Sequence, residues 1–188
     1  MGTILIDFNF QGDEAMPRVL ILSDSHGWDH EVQAIKERNQ HNADAMIHCG
    51  DSELTFDSEA LKGFAKVRGN MDMDAQFPNE QEIKVGNMHF FITHGHLFNI
   101  HSSLMNLSYR ADELGANIIC YGHSHIAIAE KQNDQLIINP GSIRQPRSAH
   151  PGSYAILESD NELKEVSVRF YTKDDQEITS LAYQTSLH

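Results

Sequence analysis

The sequence predicts a single α/β domain in which layered sheets are covered by helices, an α/β sandwich. Over the first two thirds of the chain, short β-rich runs alternate with segments of helical periodicity. After residue 125 the chain instead shows β-rich runs separated by turns, without a long helical segment between them. Polar residues follow nearly every predicted strand, which predicts a functional site beyond the strand ends.

The first part of the chain supplies strands and helices in turn. Asp29 is expected to cap a helix whose buried side carries Val32 and Ile35, with Ala34 beside them. The predicted strands of this part are Arg18–Leu22, Ala45–Cys49 and Lys66–Val67, with a short helix at Glu59–Phe64.

The middle of the chain is predicted to form a hairpin, a helix and a strand. Gln81–Thr93 is typical of a hairpin with Gly86 and Asn87 in its tight turn. Ser103–Leu114 is predicted to be helical and to stop at Gly115. The remaining predicted strands are Ile118–Cys120, Ile126–Glu130, Leu136–Ile138, Ser153–Leu157 and Leu163–Phe170, with a turn at Asn139–Ser142.

Composition excludes several functional classes. The formal net charge of −13 argues against a large nucleic-acid-binding surface, which needs a basic face. The sequence contains no apolar run near the ~20 residues of a membrane helix. Cys49 and Cys120 both lie in apolar runs, as expected of small buried residues in a cytoplasmic protein. The 188 residues suit one domain with its own core.

Residues 1–15 are predicted to be an N-terminal extension, and residues 16–188 the single domain. The apolar patch Ile4–Ile6 has no basic residue ahead of it and is interrupted by Asp7, so it makes a poor signal peptide. Met16 stands directly before the first clear strand. We therefore expect Met16 to be the natural start, or at least the point where the fold begins.

Metal-ligand side chains follow five predicted strands. Each cluster alone also fits an ordinary loop, and the sharpest is Gly122-His123-Ser124-His125, because two imidazoles one residue apart rarely serve packing. Five such clusters at five strand ends predict a shared site, and their mixed nitrogen and oxygen ligands suit Mn, Fe, Co, Ni or Zn. The predicted metal ligands are Asp24, His26, Asp51, Asn70, His94, His123 and His125.

In this order, the motifs Asp-x-His, Gly-Asp, Gly-Asn, His-Gly-His and Gly-His-x-His resemble those of the calcineurin-like metallophosphoesterase superfamily. The short chain and the run Ile138–Ile143 are similar to its small prokaryotic branch, the YfcE- and YsnB-type phosphodiesterases. The resemblance implies a four-layer α/β/β/α sandwich of two mixed sheets flanked by helices. It also implies two divalent transition-metal ions, with Mn²⁺ the first expectation, and a dimer or tetramer.

The resemblance further implies a ligand assignment and an activity. One ion would take Asp24, His26, Asp51 and His125, and the other Asp51, Asn70, His94 and His123, with Asp51 shared between them. A shared carboxylate suits ions ~3.5–4 Å apart. The implied reaction is hydrolysis of a phosphodiester bond in a small substrate by attack of a metal-bridging hydroxide.

One departure from the superfamily concerns protonation of the leaving group. The residue after the motif asparagine is often histidine, but here it is Met71, which cannot donate a proton. His96 is the first candidate for this catalytic role and Asp72 the second. A solvated His96, and an Asp72 that only orients Asn70, are the alternatives. Arg144 and Arg147 fit either a phosphate clamp or structural ion pairs, so they stay outside the predicted site.

Two other functions fit the same pattern. A phosphomonoesterase would need more positive charge than the sequence visibly supplies. A protein-interaction scaffold is the alternative outside enzymes, since the retromer scaffold subunit has this same fold. Because a scaffold need not keep every metal ligand and this chain keeps all seven, the enzyme is the favoured interpretation.

Overall fold

The structure is a computed structural model that describes residues 5–8 and 16–187. Within these ranges the chain forms twelve strands and two α-helices, together with short 3₁₀ helices at Glu59–Leu61 and Thr179–Leu181. In chain order the elements are β1 (Leu5–Phe8), β2 (Arg18–Leu22), α1 (Asp29–Asn39), β3 (Ala45–His48), β4 (Phe64–Lys66), β5 (Glu80–Val85), β6 (Met88–Thr93), α2 (Met105–Leu114), β7 (Ile118–Cys120), β8 (Ile128–Gln132), β9 (Gln135–Asn139), β10 (Ser153–Ser159), β11 (Val166–Thr172) and β12 (Tyr183–Thr185).

The strands form two mixed sheets of six strands each. The first sheet has the order β1-β5-β6-β7-β9-β8, and the second has the order β12-β11-β10-β2-β3-β4. Strands β6, β7 and β9 run parallel in the first sheet, as β2, β3 and β4 do in the second. Antiparallel hairpins such as β5–β6 and β10–β11 complete the sheets.

Alternating side chains place the two sheets between two helical layers. Val19 and Ile21 of β2 pack in the core that also contains Phe90 and Ile92 of β6, so this core lies between the sheets. Leu20 and Leu22 point the other way and pack with Val32 and Ile35 of α1. Phe91 of β6 packs with Leu107 of α2. This is the predicted four-layer α/β/β/α sandwich, and the period-2 alternation of a strand is what builds it.

The layered architecture brings the carboxyl ends of the parallel strands to one edge of the molecule. Strands β2, β3 and β4 of one sheet and β6 and β7 of the other each continue directly into a loop that carries predicted ligands. Side chains from the two sheets meet there, since Nε2 of His94 lies 3.3 Å from Oδ2 of Asp51.

Most predicted elements are confirmed, with corrections at their ends. Asp29 does not cap α1: it is the first helical residue, and Trp28 occupies the N-cap without a side-chain hydrogen bond. Helix α2 starts two residues later than predicted, because the Ser103 hydroxyl accepts a hydrogen bond from the amide of Met105 ahead of the first turn. Leu163 belongs to a turn with φ 57°, so β11 begins only at Val166.

Two further predictions needed correction, and two strands were missed. The predicted helix at Glu59–Phe64 is only a short 3₁₀ helix, followed by β4. Strand β8 begins at Ile128, two residues after the predicted start. Strands β1 and β12 were not predicted at all.

The N-terminal prediction falls mostly outside the described residues. Of the expected extension, the structure describes Leu5–Phe8, which pairs in parallel with β5. Residues 1–4 and 9–15 lie outside the described ranges, so a fold that begins at Met16 stays a prediction. Among the described residues, no helix combines the length and apolarity needed to cross a bilayer.

Candidate metal centre

The side chains of six of the seven predicted ligands make direct polar contact with one another at this edge, and the amide of the seventh, His123, donates to Oδ2 of Asp24 at 3.1 Å. Asp24 and His94 are fully buried beneath a recess of about 210 Å³. The other five line that recess together with four further residues, Glu53, Met71, Gln145 and Arg147.

One group of ligand atoms joins the two sheets through Asp24, His26 and His125. Their ligand atoms all lie within 4.8 Å of one another. Oδ1 of Asp24 lies 3.1 Å from Nε2 of His125, and Nε2 of His26 lies 3.3 Å from the same nitrogen. Oδ1 of Asp24 is buried and has no hydrogen-bond partner among the described residues, which is costly for a carboxylate oxygen.

A second group contains Asp24, Asp51 and His94, again with all ligand atoms within 4.8 Å. Nε2 of His94 lies 3.3 Å from Oδ2 of Asp51 and 3.2 Å from Oδ1 of Asn70. The carboxylate that belongs to both groups is that of Asp24, whereas the resemblance implied that the shared carboxylate is that of Asp51. A shared Asp51 therefore stays a prediction.

The imidazoles are oriented as metal ligands require. Nδ1 of His26 donates to Glu53 at 2.6 Å, Nδ1 of His94 donates to the Cys49 carbonyl at 2.8 Å, and Nδ1 of His125 donates to the Gln145 carbonyl at 2.8 Å. With the proton fixed on Nδ1, each neutral ring presents a lone pair at Nε2. Lone pairs and carboxylate oxygens thus converge at 3–4 Å, an arrangement that a cation between them stabilises. The residues therefore fit a metal centre.

The ionisation equilibria reflect the same concentration of negative charge. Burial alone would lower the pKa of His94, but its hydrogen bond to Asp51 and the charge of Asp24 outweigh burial and raise it. Burial would likewise raise the pKa of Asp51, but His94 lowers it. The two carboxylates thus draw positive charge onto this site, whether carried by a proton or by a metal ion.

Five of the seven residues adopt backbone conformations that L-residues avoid. Their φ angles lie between 45° and 66°, in the left-handed region. Such residues persist where the surrounding structure determines them, and they concentrate at functional sites. The five are Asp24, His26, Asp51, His123 and His125.

Two glycines allow the ligand loops to approach each other. A Cβ atom on Gly69 would lie 2.0 Å from Oδ1 of Asp51. A Cβ atom on Gly122 would lie 2.0 Å from Oγ of Ser23 and 2.7 Å from Oδ2 of Asp24. Both positions therefore need glycine for close approach rather than for a positive φ.

Asp72, one of the two candidate acids, is buried and fully engaged. Its Oδ2 accepts hydrogen bonds from the amides of Asp51 and Gly69, both at 2.8 Å. Its Oδ1 accepts from the Ser52 hydroxyl at 3.0 Å and the Glu53 amide at 2.8 Å. The carboxylate thus ties the loop after β3 to the loop after β4.

His96 and His123 stand beside His94. The rings of His96 and His123 lie 5.4 and 5.1 Å from that of His94, centroid to centroid. His123 belongs to neither ligand group, and burial, followed by the charges of His94 and His101, lowers its pKa to about 4. Burial also lowers the pKa of His96, which faces an adjoining recess next to Asn70 and Leu97.

Sequence reasoning missed several residues that support the ligands. Glu53 orients His26, and the buried Ser142 hydroxyl donates to the Asp24 carbonyl at 2.7 Å. Ser142 belongs to the predicted Pro-Gly-Ser turn, which offered a signal. Glu53 follows Asp51 by two residues and lies at a φ of 54°, which no sequence pattern revealed.

Comparison with known proteins gives consistent matches. The calcineurin-like phosphoesterase superfamily domain matches residues 18–162. A probable metallophosphoesterase of Bacillus subtilis, YsnB, is 47% identical over 90% of this chain and 99% of its own length. The phosphodiesterase YfcE of Escherichia coli is 32% identical over 50% of this chain and 52% of YfcE. The crystal structure of a Streptococcus pneumoniae protein described as a predicted phosphoesterase is similar to this chain, with a TM-score of 0.87 and 37% identity. The match covers 92% of this chain and 98% of that chain.

Proposed function

Because the chain belongs to the calcineurin-like phosphoesterase superfamily, we propose that it hydrolyses phosphodiester bonds at a site that holds two divalent metal ions. The name of YfcE, a phosphodiesterase, supports the choice of a diester. The mixed histidine, carboxylate and amide ligands suit a transition metal, and we take Mn²⁺ as the first candidate.

The observation that carries the proposal is the convergence of imidazole nitrogens and carboxylate oxygens at two adjacent points. Asp24, His26 and His125 surround one point, and Asp24, Asp51 and His94 surround the other. Asn70 and His123 adjoin the second point through His94. We propose these seven side chains as the metal ligands.

Two divalent cations held there would supply an activated water as nucleophile and would neutralise charge on the phosphoryl oxygens. The chain's own contribution is to hold the ligands in place. Glu53 and the carbonyls of Cys49 and Gln145 fix the three imidazole orientations. Asp72 fixes the loops that carry Asp51 and Asn70, because its four hydrogen bonds join them.

The two candidates for protonating the leaving group now differ. We propose Asp72 as a positioning residue, because its carboxylate is engaged by four donors and is 1% exposed. His96 remains the proposed proton donor, since it is half-buried and faces the recess that adjoins Asn70. Burial lowers its pKa, so this role requires the smaller protonated fraction of His96 at neutral pH. If His96 donates the proton, His96→Gln will slow alkyl esters more than p-nitrophenyl esters, whose leaving group needs no acid.

The test is restoration of activity by metal. Chelator-treated protein is assayed with bis(p-nitrophenyl) phosphate and p-nitrophenyl phosphate, before and after addition of Mn²⁺. We expect diester hydrolysis to return with Mn²⁺ and to be lost in Asp51→Asn. Asp134→Asn makes the same chemical change on the exposed β8–β9 turn and should leave activity unchanged.

The other outcomes are informative. Faster hydrolysis of the monoester than of the diester would identify a phosphomonoesterase. No hydrolysis of either ester with Mn, Fe, Co, Ni or Zn would contradict the enzyme proposal and favour a protein-interaction scaffold, to be followed by a search for a protein partner.

A further inference from the structure

The recess above the ligands has one cationic wall. Arg147 is the single lysine or arginine among the nine residues that line the recess, and Gln145 also lines it. Met71 and Glu53 are also among the lining residues and bring apolar or negative character. A phosphate that enters the recess therefore meets positive charge from the protein at Arg147.

The position of Arg147 is set by the ligand loops. Its amide donates to the carbonyl of His125 at 3.1 Å. The buried Ser142 hydroxyl accepts from the amide of Gln145 at 2.8 Å and donates to the Asp24 carbonyl. The segment that carries Arg147 is thus fastened to two of the loops that carry proposed ligands, which pre-organises it for a bound anion.

Neighbouring arginines are already used. The Arg144 guanidinium donates to the carbonyl of His26 and lies 5.9 Å from the Trp28 ring. Nε of Arg68 donates to the carbonyl of Asp72 at 3.3 Å. The guanidinium of Arg147, by contrast, forms no ion pair or side-chain hydrogen bond with any residue of the described ranges. Its five donors are therefore available to a ligand.

We propose that Arg147 is a phosphate-binding residue whose guanidinium holds a non-bridging oxygen of the substrate beside the metal ligands. This inference rests on the function proposed above. A guanidinium suits this role because its planar set of donors matches two phosphate oxygens at once.

The positive charge of Arg147 bears on which phosphate esters bind more tightly. A phosphodiester carries one negative charge, whereas a phosphomonoester carries nearly two at neutral pH. A fixed cation stabilises the dianion more than the monoanion. Arg147 therefore contributes more to binding of the monoester, which is also the product of diester hydrolysis.

The test uses the Mn²⁺-loaded full chain with Arg147→Gln, Arg147→Lys and, as a matched control, Arg169→Gln on the exposed face of β11. Titration calorimetry measures binding of inorganic phosphate and, separately, of Mn²⁺. We expect Arg147→Gln to weaken phosphate binding about tenfold, the size of one charge-assisted hydrogen bond. Arg147→Lys should recover part of this loss, and Arg169→Gln should behave as the unmodified protein.

Kinetics separates binding from structure. In Arg147→Gln the KM should rise more than kcat falls, and the loss in kcat/KM should be larger for p-nitrophenyl phosphate than for the bis ester. Unchanged phosphate affinity in Arg147→Gln would overturn the proposal, as would a parallel loss of Mn²⁺ affinity, which would mean a structural role. If the unmodified protein hydrolyses neither ester, the proposed function fails, while the phosphate titration still decides the role of Arg147.

Discussion

Replacement of Gly122 by alanine tests whether close approach of the loops builds the metal centre. Gly122 cannot retreat easily, because its amide donates to the His94 carbonyl at 3.0 Å and its carbonyl accepts from Asn139 at 2.8 Å. The new methyl group would point at Oγ of Ser23 and Oδ2 of Asp24. These two atoms are themselves hydrogen-bonded at 2.6 Å.

The required displacement follows from the distances. The methyl carbon would lie 2.0 Å from Oγ of Ser23, while real Cβ atoms essentially never approach closer than 3.0 Å, so something must move by about 1 Å. Overpacking of this kind costs about 1–3 kcal/mol of stability. A displacement of ~1 Å in a catalytic group can reduce the rate roughly 100-fold. We expect Asp24 to move, Mn²⁺ affinity to fall about 10–100-fold, and diester hydrolysis to fall about 100-fold.

Gly115→Ala is the matched control, because it adds a methyl group at a glycine where no neighbouring atom would be contacted. Gly115 has a φ of 69° and no atom within 4 Å of the added carbon, so alanine there costs only backbone strain, about 1 kcal/mol. Mn²⁺ titration and bis(p-nitrophenyl) phosphate hydrolysis should match the unmodified protein. If Gly122→Ala retained full Mn²⁺ affinity and activity, the argument from close approach would be refuted.

Three further perturbations test the support of the site. The buried His48 has a pKa lowered to about 4, chiefly by burial, so the folded chain binds fewer protons than the unfolded chain between about pH 6.5 and 4. Neutral His48 stabilises the fold above that window, and this contribution is lost as pH falls through it. In urea unfolding of chelated protein, His48→Gln should therefore reduce by about 3 kcal/mol the loss in free energy of unfolding that occurs on acidification. The same pH dependence of unfolding in His48→Gln and the unmodified protein would contradict this. Asp72→Asn replaces one carboxylate oxygen by an NH₂ group, which then faces the N–H donors of Asp51 and Gly69 in one amide orientation or that of Glu53 in the other. The substitution should therefore cost about 2–3 kcal/mol and lower Mn²⁺ affinity. A midpoint of thermal unfolding equal to that of the unmodified protein would show that the four hydrogen bonds contribute little. With free Mn²⁺ at about 1,000 times its Kd, bound metal should contribute about 4 kcal/mol to the free energy of unfolding. Removing the metal with a chelator should then lower the midpoint of thermal unfolding by roughly 10 °C. An unchanged midpoint would argue against a metal centre.

The layers were predictable because they follow from local periodicity. Leu20 and Leu22 alternate with Val19 and Ile21, and both faces of β2 are apolar, as a buried parallel strand requires. The convergence of the ligands was predictable for a related reason, since parallel strands in a sheet end at the same edge. Strand β12 was missed because its short run, Tyr-Gln-Thr, has no apolar alternation of its own.

The internal supports of the site were not predictable, because they depend on long-range geometry. For Asp72 the sequence allowed either a proton donor or a residue that orients Asn70, and the contacts between the loops after β3 and β4 are needed to favour the orienting role. Arg147 fitted a structural ion pair at least as well as a phosphate clamp, and only its place beside His125 in the lining of the recess favours the clamp. The left-handed φ angles of the ligands leave only a weak mark in the sequence, since aspartate and histidine are enriched at positive φ but are also common in loops of other conformations.

The two ligand groups also connect the proposed centre to the stability of the whole domain. Each group takes side chains from both sheets: His26 follows β2 and His125 follows β7, while Asp51 follows β3 and His94 follows β6. Cations bound there would hold the two sheets together at the edge where the backbone is most strained. The strain at Asp24, His26 and Asp51 is tolerable because the core between the sheets fixes the strands that precede these residues. Metal affinity and global stability should therefore change together when that core is altered.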